Sequence, residues 1–252
     1  MKSTLFHGDC LEVMQNIESG SIDAIITDPP YGTTACKWDS IIPFEPMWEQ
    51  LNRIIKPNGA IVLFGSEPFS SALRMSNNKN YKYDWVYQKK VPSNFAVSKY
   101  QPMKYHENIL IFSINTHNYY PIKEGREGGG KARQKYKFNN GKVGEYISMK
   151  NKNVKHTEEL RFPSSIQKFN NKSKGDTGLH PTQKPVALIE YLIKTYTKEN
   201  ETVLDFTMGS GTAGIAAKNL NRNFIGIEKD DNYFKLAKRR IENHLPQLKL
   251  KI

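Results

Sequence analysis

Short apolar runs alternate with amphipathic segments along most of this 252-residue chain, and this alternation constrains the fold more than any other feature. The apolar runs have the length and near-continuous hydrophobicity of strands that are buried on both faces. They lie at residues 21–28, 59–65, 85–87, 109–114, 202–206 and 223–228. Amphipathic helices are predicted at residues 9–17, 45–55, 68–75, 186–194, 212–219 and 231–243. This order predicts one α/β domain, a parallel sheet with helices on both faces.

The positive charge of the chain is concentrated in one polar segment, residues 121–175. The whole sequence has 37 Lys and Arg against 25 Asp and Glu, a formal net charge of +12. Residues 121–175 contain 14 of these basic residues and five acidic ones, with no sustained helical or strand period. Aromatic residues lie among the cations, a mixture suited to holding phosphates and stacking on bases. We predict that this segment is a basic insertion that contacts nucleic acid; a solvated surface loop is the alternative.

The composition also excludes several classes of protein. No apolar run approaches the roughly 18 residues that a transmembrane helix needs, and the first residues lack the apolar core and cleavage site of a signal peptide. Cys10 and Cys36 are the only cysteines, too few for a disulfide scaffold or a four-thiolate zinc site, so no metal site is predicted. These features predict an intracellular, cytoplasmic protein with a polyanionic partner and no membrane partner.

The tetrapeptide Asp28-Pro29-Pro30-Tyr31 stands at the end of the first long apolar run. In open α/β sheets, ligands bind at the carboxyl ends of the strands. The two prolines remove backbone donors, so the carbonyls there accept hydrogen bonds without competing N–H groups. Asp28 and the Pro29 carbonyl are placed to accept the two hydrogens of an exocyclic amine, and Tyr31 to stack on the ring that bears it. The alternative is a turn that ends a strand, with Asp28 as its cap.

A glycine-rich loop follows the predicted strand at residues 202–206 and precedes a predicted helix. Gly209, Gly211 and Gly214 match G-x-G-x-x-G, in which the glycines allow close approach of a ligand and the helix N-terminus favours a negative group. The next predicted strand ends at Glu228, where a carboxylate can bind both hydroxyls of a ribose. Together these features predict a site for a ribose-containing cofactor; a turn that only packs the helix on the strand is the alternative.

A nicotinamide dinucleotide suits the same fingerprint and would make the chain an oxidoreductase. Only about 40 residues follow the loop, however, and a dehydrogenase needs its second half there. The Asp-Pro-Pro-Tyr site has no evident role in hydride transfer, and a Gly-Lys-Ser/Thr phosphate loop is absent from the sequence. A dinucleotide-binding oxidoreductase therefore remains the less favoured alternative.

Four motifs, in this order, resemble those of the β group of DNA amino-methyltransferases, which use S-adenosylmethionine. The motifs are HGDCLEVM at residues 7–14, DPPYGTTACKWD at 28–39, HPTQKP at 180–185 and VLDFTMGSGT at 203–212. The resemblance covers nearly the whole chain apart from the basic insertion. It implies a doubly wound, circularly permuted, Rossmann-like sheet with one reversed strand. In such a sheet the segments 4–7 and 223–228 are neighbouring strands.

The resemblance also implies roles for individual residues. Those that would hold the extruded target base are Asp28, Pro29, Pro30 and Tyr31. Asp9 and Cys10 would contact the adenine of the cofactor, and Glu228 would bind its ribose hydroxyls. Thr182 and Lys184 would lie near the cofactor, with Lys184 as the partner of its carboxylate. The loop around its methionine end would comprise Asp205, Phe206, Thr207, Gly209, Ser210, Gly211 and Thr212. The family usually has Asp-Pro-Phe where this loop begins Asp-Phe-Thr.

The implied activity is that of a site-specific, adenine-specific DNA-methyltransferase. The target nucleotide must be flipped out of the duplex before its amine can attack the cofactor methyl in line. Relatives with Asp at the position of Asp28 usually act on adenine N6 and those with Ser on cytosine N4, so adenine is predicted and cytosine is the alternative. The implied division of the chain is a catalytic half at 1–120, a DNA-recognition insertion at 121–175 and a cofactor-binding half at 176–252.

The predicted partner is double-stranded DNA, and the predicted location is the cytoplasm of a bacterial or phage-infected host cell. Dimers are common among relatives, so a homodimer is one option for this chain. A restriction endonuclease partner is a second option, since methyltransferases of this group serve in restriction–modification. Both options rest on the resemblance alone.

Overall fold

A sheet of eight strands organises the part of the chain that the computed structural model describes, residues 1–33, 39–125, 160–170 and 183–245. Its strands, numbered along the chain, are β1 (Ser3–His7), β2 (Ile22–Thr27), β3 (Ile55–Gly65), β4 (Tyr81–Ser93), β5 (Lys104–Phe112), β8 (Ile166–Phe169), β9 (Thr202–Asp205) and β10 (Asn223–Glu228). A separate pair consists of β6 (Glu124–Gly125) and β7 (Leu160–Arg161). The helices are α1 (Cys10–Met14), α2 (Phe44–Ile54), α3 (Phe69–Ser76), α4 (Val186–Tyr196), α5 (Thr212–Asn219) and α6 (Asp231–Asn243).

The order of the strands confirms the predicted fold class. Across the sheet the order is β1-β10-β9-β2-β3-β5-β4-β8, and every neighbouring pair is parallel except the two pairs that include β5. Strand β5 is therefore the one reversed strand. Strands β1 and β10, the first and last in the described residues, are neighbours, with His7 opposite Glu228. This is the permuted arrangement in which both ends of the sequence contribute to one half of the sheet.

Helices cover both faces of the sheet because the central strands are apolar on both sides. Along β3, Ala60, Val62 and Phe64 pack with α4, α5 and α6, whereas Ile61 and Leu63 pack with α1, α2 and α3. All five side chains are at most 1% exposed. Each fully buried Val, Ile, Leu or Phe side chain contributes about 1.5–3 kcal/mol. The two cores hold the carboxyl ends of the parallel strands in fixed register.

The segment predicted as a basic insertion contains two differently placed parts. The chain divides into two compact units, one of residues Pro121–Ser164 and one of Met1–Tyr120 with Ser165–Ile252. Strands β6 and β7 pair within the smaller unit, whereas β8 pairs in parallel with β4 in the large sheet. Residues 126–159 and 171–175 of the segment lie outside the described residues. Its role in DNA recognition stays a prediction.

Element boundaries differ from the sequence prediction where tertiary contacts intervene. Helix α1 ends at Met14 rather than residue 17, because Arg53 donates to the carbonyls of Met14 and Ile17 at 2.7 and 2.8 Å. Strand β3 begins at Ile55 rather than residue 59, and its pairing with β2 is irregular between Ile55 and Ala60. None of the helices in the described residues combines the length and apolar character that a membrane span requires.

Candidate active site

Two motifs separated by 178 residues meet at one edge of the sheet. Strands β2 and β9 are parallel neighbours, so Asp28 after β2 and Asp205 at the end of β9 lie at the same edge. The Thr27 hydroxyl donates to the Asp205 carboxylate at 3.0 Å, and the Thr207 hydroxyl donates to the Asp28 backbone carbonyl at 3.1 Å. These bonds fix the Asp-Pro-Pro-Tyr segment against the glycine loop.

A cavity of about 600 Å³ lies beside this junction, within the size range of small-molecule sites. It occupies the carboxyl edge of the parallel strands, where open α/β sheets bind their ligands. The four residues predicted to hold the target base all line it: Asp28, Pro29, Pro30 and Tyr31. Most of the residues predicted to bind the cofactor line it as well: Asp9, Cys10, Lys184, Asp205, Phe206, Thr207, Gly209, Ser210, Thr212 and Glu228.

The Asp28 carboxylate is held from two sides. Its Oδ1 accepts a hydrogen bond from the Tyr31 hydroxyl at 2.5 Å, and its Oδ2 pairs with the Lys184 ammonium at 2.5 Å. Lys184 Nζ also lies 3.2 Å from Oε2 of Glu107, whose Oε1 pairs with Lys89 at 3.1 Å. The side chains of Lys184 and Lys89 are only 8% and 7% exposed. Four charged groups of alternating sign therefore form a connected series that begins at Asp28 on the cavity wall.

Burial and pairing together set the ionisation of these four groups. Burial raises the pKa of Asp28 above its ordinary value; Lys184 opposes this rise and Glu107 adds to it. Burial alone would lower the pKa of Lys184, but the carboxylates of Asp28 and Glu107 outweigh it, so this pKa is raised. The pKa of Glu107 is lowered because the two lysines together outweigh its burial. Lys184 thus stays charged and limits the protonation of Asp28.

The loop that carries Tyr31 is fixed on both sides of that residue. The Tyr31 ring stacks on Phe69, with 5.1 Å between centroids and 26° between planes. Asp39 accepts hydrogen bonds from the next two backbone N–H groups, each at 2.9 Å. Burial raises the pKa of the Tyr31 phenol, which therefore stays protonated and donates to Asp28. The ring and the carboxylate are oriented by the protein itself.

One carboxylate joins the glycine loop to the end of β10. The Glu228 side chain accepts hydrogen bonds from the N–H groups of Gly209 and Asp230, both at 2.8 Å. Gly209 and Gly211 have φ values of 50° and 79°, in the left-handed region that favours glycine. Burial raises the pKa of Glu228, and its hydrogen bonds to backbone N–H groups oppose this rise. Backbone groups therefore set the position of this acid on the cavity wall.

Asp205 is the most deeply buried acid of the glycine loop region, at 7% exposure. Its Oδ1 accepts hydrogen bonds from the Thr27 hydroxyl and the Thr207 N–H at 3.0 and 3.2 Å. Burial raises its pKa from 3.8 to about 7. A cation in the cavity would favour the ionised form of this carboxyl.

The first turn of α1 lies at the same cavity. Asp9 is the N-cap of this helix; its carboxylate accepts from the Leu11 N–H at 2.9 Å and pairs with Lys229 at 3.0 Å. Burial raises the pKa of the Cys10 thiol to about 12, so this side chain acts as a small apolar group. Phe206 is 1% exposed and belongs to the core on the α1–α3 face. The shifted aromatic of the loop is thus a packing residue that also borders the cavity.

The remaining residues predicted to bind the cofactor differ in their placement. Arg240 donates to the Ser210 carbonyl at 3.0 Å and to the Thr212 hydroxyl at 3.2 Å, which ties the start of α5 to α6. Gly211 is the N-cap of α5 and packs against α6, so that an added Cβ would lie 3.0 Å from a side-chain carbon of that helix. Thr182 lies outside the described residues.

Sequence reasoning missed three residues that the fold brings to this site. Glu107 lies just before the buried residues of β5, where an acidic residue is unusual. That position in the sequence could have indicated a functional role for Glu107. Its partner Lys89 carried no such signal, because it lies in a run of polar residues. Asp39 is the last residue of the motif at residues 28–39. Its hydrogen bonds to the N–H groups of Gly32 and Thr33 depend on the path of the loop, which the sequence does not indicate. Lys184 was predicted at the cofactor, and its observed partners are Asp28 and Glu107.

Comparison with known proteins identifies the family. The family model N6_N4_Mtase, described as DNA methylase, matches residues 22–239. The chain belongs to this DNA methylase family. A Type II methyltransferase of Lactococcus lactis subsp. cremoris, M2.LlaDCHI, is 31% identical over 260 residues, which cover 94% of this methylase and 88% of the relative. The Type II methyltransferase M2.DpnII of Streptococcus pneumoniae is 30% identical, covering 96% and 90%.

Solved structures share the fold of this methylase. The crystal structure of the M1.HpyAVI–SAM complex has a TM-score of 0.62 and 28% identity, and the match covers 95% of this chain and 98% of the other. The PvuII DNA methyltransferase, described as cytosine-N4-specific, has a TM-score of 0.67 and 17% identity, covering 97% and 88%. The second likeness concerns the fold alone. The resemblance read from four sequence motifs is therefore confirmed at the level of family and fold.

Proposed function

We propose that this methylase transfers a methyl group from S-adenosylmethionine to N6 of adenine at a specific site in double-stranded DNA. The reaction class, S-adenosylmethionine-dependent methylation of DNA, comes with the family. One structural observation supports transfer to an exocyclic amine. A paired, oriented carboxylate, Asp28, lines the same cavity as the glycine loop and Glu228.

The residues at the cavity fit the chemistry of S-adenosylmethionine. Glu228 at the end of β10 occupies the position from which α/β sheets bind a ribose diol. Asp205 offers a carboxylate for the ammonium group of the methionine end, a charge-assisted pair. Asp9 and Cys10 border the same cavity at α1, the side predicted for the adenine ring. When bound, the cofactor supplies an electrophilic methyl group on a sulfonium centre.

Asp28 orients the nitrogen of the target base. An ionised carboxylate has about four acceptor positions, and Tyr31 and Lys184 occupy one on each oxygen. Positions remain for an N–H of an exocyclic amine, and the carbonyl of Pro29, which lines the same cavity, accepts the second hydrogen in this proposal. Such hydrogen bonds direct the nitrogen lone pair toward the methyl group and stabilise the positive charge that develops on nitrogen. The proton leaves after bond formation and passes to solvent.

Lys184 acts through Asp28. Its ammonium already lies between two carboxylates, Asp28 and Glu107, at 2.5 and 3.2 Å. This arrangement favours a role at Asp28 over the predicted role at the cofactor carboxylate, because the ammonium keeps Asp28 ionised in a buried site. Glu107 and Lys89 in turn balance the charge of Lys184. A buried charge without such partners would be strongly destabilising.

The choice of adenine rests on the residue at position 28. The resemblance associates Asp at this position with adenine N6 and Ser with cytosine N4. The fold does not discriminate between them, since the PvuII enzyme, described as cytosine-N4-specific, shares it. Cytosine N4 is therefore the second candidate, and identification of the modified base decides between the two.

Single-turnover methyl transfer with labelled cofactor and saturating DNA tests the role of Asp28. We expect Asp28→Ala to fold and to bind cofactor, and its rate of methyl transfer to fall by roughly 100- to 1,000-fold, as when one transition-state hydrogen-bonding group is deleted. Asp231→Ala, which removes an exposed acid from α6, serves as the control and should retain its rate. A near-normal rate in folded Asp28→Ala would contradict the mechanism. Methyl groups on cytosine would overturn only the choice of base.

A further inference from the structure

The connection between β4 and β5 exposes an unusual number of large apolar side chains. Phe95 is 76% exposed and Tyr100 is 88% exposed. Four further apolar residues in or beside this connection are between 38% and 54% exposed: Val91, Val97, Met103 and Tyr105. Soluble proteins rarely leave so many large apolar groups together at a surface without a binding partner for them.

The connection is a structured hairpin tip, which we define as residues 91–105. Asn94, with φ of 63°, turns the chain at the end of β4. Its side chain accepts from the Lys104 N–H at 2.8 Å and donates to the Pro102 carbonyl at 3.2 Å, which closes the tip at its base. A single 3₁₀ turn, Phe95–Val97, follows. The backbone thus holds the exposed side chains in place, so that little ordering is needed when a partner binds.

The hairpin tip extends from the edge of the sheet that carries the active site. Strand β4 is antiparallel to β5, and β5 is antiparallel to β3, so β4 ends at the same edge as β3 and β2. At the base of the tip, Glu107 on β5 contacts Lys184, which pairs with Asp28. The side chain of Lys104 bonds to Ser66, just past the end of β3. A molecule that reaches Asp28 from this edge passes beside the tip.

The charge of the tip suits a polyanion. Residues 91–105 contain Lys99 and Lys104 and no Asp or Glu, and Lys90 directly precedes them. Aromatic rings combined with cations are the means by which proteins stack on bases and contact phosphates. A second copy of this chain would also bear a net charge of +12, which opposes pairing of two such tips. DNA is thus the partner that the charge favours.

We infer that the hairpin tip enters the DNA beside the target nucleotide and that Phe95 and Tyr100 occupy the space from which the base departs. This rests on the proposed function, because a flipped base leaves an unstacked gap in the duplex. Other DNA-binding proteins insert apolar side chains between base steps, and an aromatic ring that stacks on a base stabilises it. The tip therefore acts in base extrusion, whereas Asp28 acts on the base after extrusion.

The experiment compares Phe95→Ala/Tyr100→Ala with the unaltered protein on two duplexes. The target site is first located by sequencing the modified bases in DNA methylated by the unaltered protein. One duplex is fully paired; in the other the nucleotide opposite the target is abasic, which lowers the cost of flipping. Met75→Ala is the matched control, since Met75 is 71% exposed at the end of α3 and lies away from the tip.

We expect the double variant to bind cofactor normally and to lose about 10- to 100-fold in single-turnover rate on the paired duplex, because the cost of unstacking is no longer offset. The abasic duplex should restore most of this loss, and Tyr100→Phe should behave like the unaltered protein. An unchanged rate on the paired duplex would overturn the inference, as would a loss that the abasic duplex does not restore. If the double variant changes the oligomeric state of the protein but not its rate, the tip forms contacts between copies of the chain and the inference is wrong. If the unaltered protein methylates no DNA, the proposed function itself fails.

Discussion

The Lys184 ammonium lies between the carboxylates of Asp28 and Glu107, so its removal leaves two buried acids without the cation that separates them. We expect Lys184→Met to raise the pKa of Asp28 further, because burial and Glu107 are then opposed by the hydrogen bond from Tyr31 but no longer by the ammonium. The single-turnover rate should fall by about 100-fold near neutral pH and recover as the pH is raised, since only ionised Asp28 accepts the amine. The acid limb of the pH–rate profile should therefore move to higher pH.

Two further variants separate this positioning role from a loss of folding. The double variant Lys184→Met/Glu107→Gln keeps the net charge of the cluster unchanged, and Lys89 keeps its hydrogen bond to Ser93. Circular dichroism and cofactor binding check that this variant folds, and it should still transfer methyl slowly. Lys184→Arg keeps the charge and should retain an acid limb near that of the unaltered protein. An unmoved acid limb in folded Lys184→Met would show that the ammonium does not control Asp28.

The raised pKa of Asp205 couples cofactor binding to pH. Burial raises this pKa to about 7, so about half of the carboxyl groups carry a proton at pH 7. If the cofactor ammonium binds there, it should expel this proton, with about 0.5 proton released per cofactor at pH 7 and nearly one at pH 5.5, where the cofactor amine is fully charged. Calorimetry in buffers of different ionisation enthalpy measures this number. Asp205→Asn, which cannot ionise, should release none, and equal release by this variant would exclude Asp205 as the source.

The same pKa predicts how Asp205 affects stability. The folded value of about 7 exceeds the ordinary 3.8, so between these pH values the folded state holds a proton that the unfolded chain has lost. The contribution of this group to the free energy of unfolding therefore falls as pH rises from about 4 to 7. Asp205→Asn should lessen that decline in denaturant titrations without cofactor.

At the scale of elements, the packing of α5 on α6 depends on the absence of a side chain at Gly214. An added Cβ would lie 2.8 Å from Cγ1 of Ile241 and 2.9 Å from a ring carbon of Phe224. Overpacking of this kind costs about 1–3 kcal/mol, more than the roughly 0.8–1 kcal/mol that alanine gains over glycine in a helix. Gly214→Ala should therefore lower the free energy of unfolding.

A double-mutant cycle tests whether this contact is the cause. Ile241→Val removes the terminal carbon of the side chain that faces Gly214, and alone it should cost about 0.5–1.5 kcal/mol. The double variant Gly214→Ala/Ile241→Val should lose less than the sum of the two single losses. Additive losses in denaturant unfolding would exclude the proposed clash.

At the scale of the whole molecule, the net charge of +12 predicts salt-dependent binding to DNA. If six phosphate contacts form, the logarithm of affinity should fall with the logarithm of salt concentration with a slope of about −5. Replacement of Lys131, Arg133, Lys135 and Lys137 by glutamine should flatten this slope; these residues lie outside the described part of the chain. Fluorescence anisotropy at several salt concentrations measures both slopes. Equal slopes for the variant and the unaltered protein would show that these four residues of the basic insertion do not contact the DNA phosphates.

The sequence by itself determined the fold class, the family and the two motifs of the cavity. Apolar runs bounded by turns report burial on both faces of a strand, and this signal is local, so β2, β9 and β10 were found close to their observed positions. The order of the four motifs along the chain predicted the permuted topology of the sheet. The glycine loop could be predicted because a tight turn that a ligand approaches closely requires glycine at fixed spacing. Glu228 could be predicted because it ends the strand that follows this loop.

Only the tertiary structure decided the partners of the charged side chains. Glu107 and Lys184 are 77 positions apart in the chain, and no sequence period relates them; their contact arises because β5 runs opposite to β2 and brings its first residues to the active-site edge. The exposure of the hairpin tip is likewise invisible in the sequence, since Phe95 and Tyr100 resemble core residues by type. Pairing and exposure depend on which distant surfaces meet, and folding fixes that through packing of the whole sheet.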